Sequence, residues 1–233
     1  MLYTASDTEP RQEVAPPGSV RLEAMSAGYS GEMVLADFSL SVDPGEFLFV
    51  AGPSGAGKST LIKVVHGALL PQAVVALVDG VDLTRLKPRD VPALRRRIGC
   101  VFQGYELLPH LTALENVLVP LELAQVDVSR PQEKAVEALD SVGLSRKQGS
   151  LPHELSGGQQ QRVAIARAIA HQPRILLADE PTGNLDSRAT ADVMEAFDMF
   201  NASGGTVIMA THDDELRARY DRRVIHVEPR RAA

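Results

Sequence analysis

Apolar positions change their spacing along this chain, and the changes mark out its elements. From Val20 the segment VRLEAM sets Val20, Leu22 and Ala24 in alternation with polar residues. VLADFSLSV follows, and a DPG turn leads into EFLFVA. Period-two alternation interrupted by a Pro-Gly turn predicts a strand-rich opening. Four later apolar runs, Val74 to Val78, Ile98 to Phe102, Ile175 to Ala178 and Val207 to Ala210, are short enough for strands. Helical stretches separate several of them, and such interleaving predicts an α/β fold with a largely parallel sheet. Between about Gly104 and His171 the strand signals vanish. SRPQEKAVEALDSVGL ends in a Gly stop, and GGQQQRVAIARAIA sets Val163, Ala166, Ile169 and Ala170 on one face. A helical lobe over about 104–171, inserted into the α/β core, is the expectation.

Residues 1–19 hold three prolines, charges of mixed sign and few bulky apolar side chains, so they are expected to form a loose tail. The folded unit is then 20–227, with 228–233 as a second short tail. Composition narrows the function classes. The 233 residues are 44% apolar, enough for one sizeable core with a smaller lobe. Thirty acidic against 24 basic residues leave a net charge of -6, which gives no global reason to bind nucleic acid. The single cysteine, Cys100, excludes an intrachain disulfide and a cysteine-based structural zinc site, and it reads as a core residue in a reducing compartment. No window approaches the roughly 18 apolar residues of a membrane span, and the first 20 residues lack the pattern of a secretion signal.

Three stations carry chemistry. Gly52-Pro53-Ser54-Gly55-Ala56-Gly57-Lys58-Ser59 fits G-x-x-x-x-G-K-[ST] between an apolar run and a helical stretch that begins with Thr60-Leu61-Ile62. Glycines let successive N–H groups curl toward phosphate oxygens, and the following helix offers its positive end. Lys58 can reach the outer phosphates, and the Ser59 hydroxyl is a hard ligand suited to Mg²⁺. Second, Ile175-Leu176-Leu177-Ala178 ends in Asp179-Glu180, two carboxylates where open parallel sheets gather ligands. Asp179 would hold the Mg²⁺ through a water, and Glu180 would accept a proton from, or orient, the water attacking the γ-phosphate. Third, Leu155-Ser156-Gly157-Gly158-Gln159 opens a helix, which offers either an ordinary Ser156 cap or a second phosphate contact.

GPSGAGKS, LSGGQ and ILLADE in that order, with Gln103 between the first two and Thr211-His212-Asp213 after a strand, resemble the nucleotide-binding subunits of ABC transporters from about Val20 to Val227. The resemblance implies a P-loop (RecA-like) core with an N-terminal antiparallel β subdomain and an inserted α-helical subdomain. It implies that Tyr29 stacks on adenine, that Gln103 reaches Mg²⁺ and the γ-phosphate, that His212 contacts the γ-phosphate, and that Asp186 belongs to a loop touching a partner subunit. It also implies a homodimer in which Ser156 to Gln159 of one subunit cap the ATP held by the other. Within the family, DLTRLKPRDVPALRRRIGCVFQ, LLADEPTGNLD and TVIMATHD resemble the bacterial cell-division ATPases first, and the lipoprotein-releasing and macrolide-export ATPases second. Either branch implies an integral membrane partner and a peripheral place on the cytoplasmic face of the inner membrane. Two departures stand out: Pro71 to Val75 lacks a glycine usual after that proline, and VIHVEPRRAA lacks an acidic-Gly turn. The rivals are a soluble P-loop kinase, an ABC ATPase acting on nucleic acid or ribosomes, and a degenerate cassette that holds ATP without hydrolysing it.

Overall fold

The computed structural model describes residues 15–30, 32–123 and 130–229. The chain opens with a long antiparallel pair, β1 (Val20–Tyr29) and β2 (Glu32–Val42), before β3 (Phe47–Ala51) and α1 (Lys58–Val65). Two short strands, β4 (Val75–Val78) and β5 (Val81–Asp82), then α2 (Val91–Arg95), lead to β6 (Ile98–Phe102). Three helices follow, α3 (Ala113–Leu123), α4 (Pro131–Ser141) and α5 (Gly157–Ile169). The chain then alternates through β7 (Ile175–Asp179), α6 (Ser187–Ala202), β8 (Thr206–Ala210), α7 (Asp214–Arg219) and β9 (Arg223–His226). Strands assemble into an antiparallel sheet ordered β2-β1-β4-β5 and a parallel sheet ordered β6-β7-β8-β3-β9. Between 104 and 171 the described residues hold helices and no strand.

The parallel strands read as continuous apolar runs because both faces are covered. In β3, Phe47 and Phe49 join the core beneath the helices, while Leu48 and Val50 face the core shared with α1 and the antiparallel sheet. β7 and β8 divide in the same way: Leu176 and Val207 on one side, Leu177 and Ile208 on the other. The helix α5 crosses β6 closely enough that a Cβ on Gly99 would stand 2.4 Å from the Ala168 carbonyl oxygen, so this crossing requires glycine. Val163 and Ala166 of α5 are wholly buried, Ala170 just beyond it is nearly so, and Ile169 packs partly covered, as the helical spacing predicts.

Order in the chain reaches further toward the N-terminus than the expected boundary at residue 20. Ser19 is buried, the Gly18 N–H donates to Asp79 Oδ1 at 2.7 Å, and the Thr206 hydroxyl donates to the Gly18 carbonyl at 2.6 Å. The same hydroxyl accepts from the Gly45 N–H at 2.9 Å. Asp79, its side chain fully buried, also meets Arg97 at 3.5 Å and Arg174 at 3.3 Å. Polar bonds to distant groups hold Gly18 and Ser19, a signal that a pattern of apolar burial does not carry. Residues 1–14 and 230–233 of the two expected tails lie outside the described residues. Where the usual glycine is missing after Pro71, Gln72 forms a two-way antiparallel bridge with Ser26, at 2.7 and 2.9 Å.

Candidate active site

The buried strand β3 delivers the chain to a loop that only glycine can follow at two points. Gly52 has φ 152° and Gly57 φ 108°; a Cβ would stand 2.4 Å from the Val227 carbonyl oxygen at the first and 2.7 Å from a Leu35 methyl at the second. Gly57 caps α1 without a side-chain hydrogen bond, which leaves the first N–H groups of the helix facing outward. Lys58 is only 5% exposed. Its Nζ donates to the Gly52 carbonyl at 2.8 Å and the Pro53 carbonyl at 3.2 Å, and it lies 3.3 Å from Glu180 Oε1. Around this ammonium is a cleft of about 760 Å³ lined by Val34, Pro53, Ser54, Gly55, Gly57, Lys58, Ser59, Thr60, Gln103, Glu180 and His212.

Strand ends bring the rest of the site to this cleft. Phe102 of β6 pairs with Asp179 of β7, and Asp179 with Ala210 of β8, so Gln103, Glu180 and Thr211-His212 leave the sheet side by side. Ligands gather at such carboxyl ends. Glu180 turns at once into left-handed backbone, φ 49°, a strained conformation for a residue with a side chain. Its Oε2 stands 2.8 Å from His212 Nδ1 and 3.4 Å from the His212 backbone N–H. Gln103 lies over Gly183, where a Cβ would come within 3.0 Å of its amide nitrogen.

Asp179 has an unusual environment. Burial pushes its carboxyl above the ordinary range; a hydrogen bond from Ser59 opposes that, the neighbouring Glu180 adds to it, and Lys58 and Lys63 oppose it. Oδ1 is buried with no hydrogen-bond partner among the described residues. Cys100, on β6, has its thiol pushed up to about 12 by burial first and then by Asp179, which suits its reading as an inert core residue.

Other residues singled out from the sequence sit outside this cleft. Ala56 is buried beneath the loop, and Gly52 at its start does not line the cleft. Tyr29 is 42% exposed, its ring 5.3 Å from Lys63 Nζ. Ser156 caps α5 by accepting from the Gln159 N–H at 3.3 Å while Gln159 Oε1 accepts from the Ser156 N–H at 3.0 Å. Gly158 is where α5 meets α6, since a Cβ there would lie 2.6 Å from that of Ala189. Asp186 caps α6, accepting from the Ala189 N–H at 2.8 Å. Its neighbours Leu185 and Ser187 line a second hollow of about 780 Å³ that shares Glu180 and His212 with the first. None of Ser156, Gly157, Gly158 and Gln159 lines either hollow. Val34 of β2, which no motif marks, completes the cleft wall.

A glycine-bounded loop with a buried lysine thus meets two carboxylates and a histidine at the ends of parallel strands. Residues 35–183 match the ABC transporter family, and the chain belongs to it, as an ATP-binding and ATP-hydrolysing subunit. It is 45% identical over 207 residues to the cell division ATP-binding protein FtsE of Escherichia coli K12, covering 88% of this chain and 93% of that protein. To the protein of the same name in Streptococcus pneumoniae D39 it is 44% identical over 199 residues, covering 85% and 86%. Among solved structures it resembles the dimeric post-hydrolysis state of the ATP-binding cassette MJ0796 bound to ADP and Pi. The TM-score is 0.80 at 37% identity, covering 90% of this chain and 94% of that one. Among the described residues no helix is long and apolar enough to cross a membrane.

Proposed function

We propose that this chain hydrolyses MgATP at a site completed by a second copy of itself and passes the resulting motion to an integral membrane partner of FtsX type in bacterial cell division, on the cytoplasmic face of the inner membrane. The observation that carries the reading is a division within one chain. Lys58, Gln103, Glu180 and His212 share one cleft, while the second phosphate-type helix end, Ser156 to Gln159, lies outside it. One nucleotide can use both only if the second comes from another copy, and the dimeric neighbour supports that arrangement. The working unit is 20–227 with its lobe at 104–171, extended to Gly18 by the Asp79 contacts.

In this reading Gly52 to Thr60 cradle the phosphates, and Tyr29, exposed beside Lys63, stacks on adenine. The residues fit Mg²⁺: Asp179 brings an unpartnered buried oxygen, Ser59 a hydroxyl beside it, and Gln103 a neutral oxygen. When bound, the ion neutralises charge on the β- and γ-phosphates. Glu180 accepts a proton from the attacking water as the new oxygen–phosphorus bond forms and the bond to the β-phosphate oxygen breaks, releasing ADP and phosphate. His212 holds the Glu180 carboxylate through Nδ1, which leaves its other ring nitrogen for the γ-phosphate. Asp186, between two residues that line the neighbouring hollow, faces the partner copy.

Covalently linked heterodimers test the composite site. A Lys58→Ala subunit linked to a Ser156→Arg subunit retains one whole site; both changes in one subunit beside a wild-type partner leave none. Turnover is expected only in the first arrangement, and equal rates in both would mean independent monomer sites. The membrane partner is tested at the loop after Gln103, where Leu108 is 38% exposed and Pro109 is exposed, while Leu107 packs on the helical core. Leu108→Glu is expected to leave the protein folded and binding ATP, to prevent its recovery with the FtsX-like protein, and to give filamentous cells. Normal septation on deletion of the gene, with only lipoprotein sorting or drug efflux impaired, would assign the chain to the exporter branch.

A further inference from the structure

The segment that follows Gln103 is gripped by two helix residues, Arg167 and Asn116. Tyr105 and Glu106 both have left-handed backbone, φ 57° and 49°. Such a conformation is strained for a residue with a side chain and persists only where its surroundings impose it. Arg167, in the last turn of α5, does so: its Nη2 donates to the Tyr105 carbonyl at 2.9 Å and its Nη1 to the Glu106 carbonyl at 2.5 Å. A planar guanidinium presents two nitrogens at a fixed spacing to two carbonyls; an ammonium can bond two carbonyls only from a single point and fixes no spacing between them.

The opposite end of the same helix meets the same tyrosine. A Cβ on Gly157 would stand 2.8 Å from the Tyr105 hydroxyl, so the first turn of α5 leaves room for that ring. Gly157 and Arg167 are ten residues, about 15 Å, apart along the helix, and Tyr105 touches both ends. Further along the loop, wholly buried Asn116 of α3 accepts from the Leu108 N–H at 2.8 Å. Its amide nitrogen donates to the carbonyls of Leu108, Leu111 and Thr112 at 3.0 to 3.1 Å. Gly104 differs: a Cβ there would meet nothing within 4 Å. The chain is therefore tied to the helices from Tyr105 onward, and two turn bonds, from the Tyr105 N–H to the Phe102 carbonyl at 3.3 Å and from the Glu106 N–H to the Gly104 carbonyl at 2.6 Å, link that anchored stretch back to Gln103.

We propose that Arg167 is a positioning residue that fastens the loop after Gln103 to the helix carrying Ser156 to Gln159, so that displacement of one end of α5 is delivered to Gln103 of the same chain. The functional consequence rests on the composite site proposed above: the helix end meets the nucleotide of the partner copy, while Gln103 faces the chain's own. Occupation of one site then repositions Gln103 in the other, and turnover depends cooperatively on MgATP through the Arg167 fork.

Arg167→Lys and Arg167→Met separate the fork from its charge. In the nucleotide-free protein, amide exchange read by mass spectrometry on peptides covering 103–108 is expected to speed up at least about tenfold in both variants, with peptides from β3 and α1 unchanged. In steady-state turnover against MgATP, kcat is expected to fall about tenfold with KM within about twofold, because misplacing a contact group by a fraction of an ångström acts on the reacting geometry rather than on binding. The Hill coefficient should fall to about 1 in both. An Arg167→Lys protein with wild-type loop protection, kcat and cooperativity would overturn the proposal, since charge alone would then suffice. So would faster exchange across the whole lobe with cooperativity retained, which marks a merely structural residue. If the wild-type chain neither dimerises on MgATP nor shows cooperativity, the composite-site reading fails. The fastening is then judged on exchange alone: lost protection at 103–108 in Arg167→Lys supports it, and retained protection overturns it.

Discussion

Glu180→Gln is expected to lower ATP turnover about a thousandfold while nucleotide affinity stays close to that of the wild type, the magnitude being that of a lost general base. The amide has the shape of the carboxylate and can still accept a hydrogen bond from His212 Nδ1, which stands 2.8 Å from Oε2. What it lacks is basicity toward the attacking water. The change also removes the negative partner 3.3 Å from Lys58, and the ammonium keeps its bonds to the Gly52 and Pro53 carbonyls. The phosphate cradle therefore stays in shape and binding survives. With hydrolysis blocked, the ATP-bridged dimer should accumulate, so phosphate release and size exclusion in MgATP are read together. Turnover at the wild-type rate would remove Glu180 from the chemistry, and loss of binding would make it part of the cradle instead.

Lys58→Ala has the complementary signature. A triphosphate in this cleft loses its nearest cation, and the weakening expected is about a hundredfold, the scale of a few charge-assisted hydrogen bonds. Two carbonyls at the start of the loop lose their shared donor as well, so the loop and the charge fail together. Lys58→Arg distinguishes them. Lys58 is 5% exposed, and a guanidinium does not fit the space of an ammonium, so Arg is expected to bind nucleotide little better than Ala. Titration with a fluorescent ATP analogue measures both. Tight binding by the Arg variant would mean that charge alone holds the triphosphate.

Features confined to one stretch of chain are legible in the sequence. The strands β6, β7 and β8 appear as apolar runs because burial on both faces removes polar residues from them, and the P-loop appears because its glycines and lysine are contiguous. The strand β9 gives no such signal: Arg223 and His226 at its ends are exposed, and only its pairing with β3 makes it a strand. The Asp79 contacts join residues 61 and 95 positions apart and leave no local pattern. The anchoring of the loop by Arg167 and Asn116 is equally invisible, since an arginine and an asparagine within helical stretches read as ordinary surface residues. Ser156 shows a different limit. Its two sequence readings are compatible in one residue: it caps α5 with Gln159 and still stands exposed at a helix N-terminus.

The strand order has a bearing on how the protein is made. β3, which launches the P-loop, lies between β8 and β9, so Phe47 pairs with Val207 and Leu48 with Arg223. At roughly 5 to 20 residues per second, a ribosome that has finished β3 needs on the order of ten to thirty seconds more to complete its first neighbour. During that interval an apolar strand has both edges open, the condition under which nascent chains aggregate or engage chaperones. A polypeptide that stops before about residue 206 carries every letter of the phosphate loop without the sheet that shapes it. Binding of nucleotide is thereby expected only of the nearly finished chain.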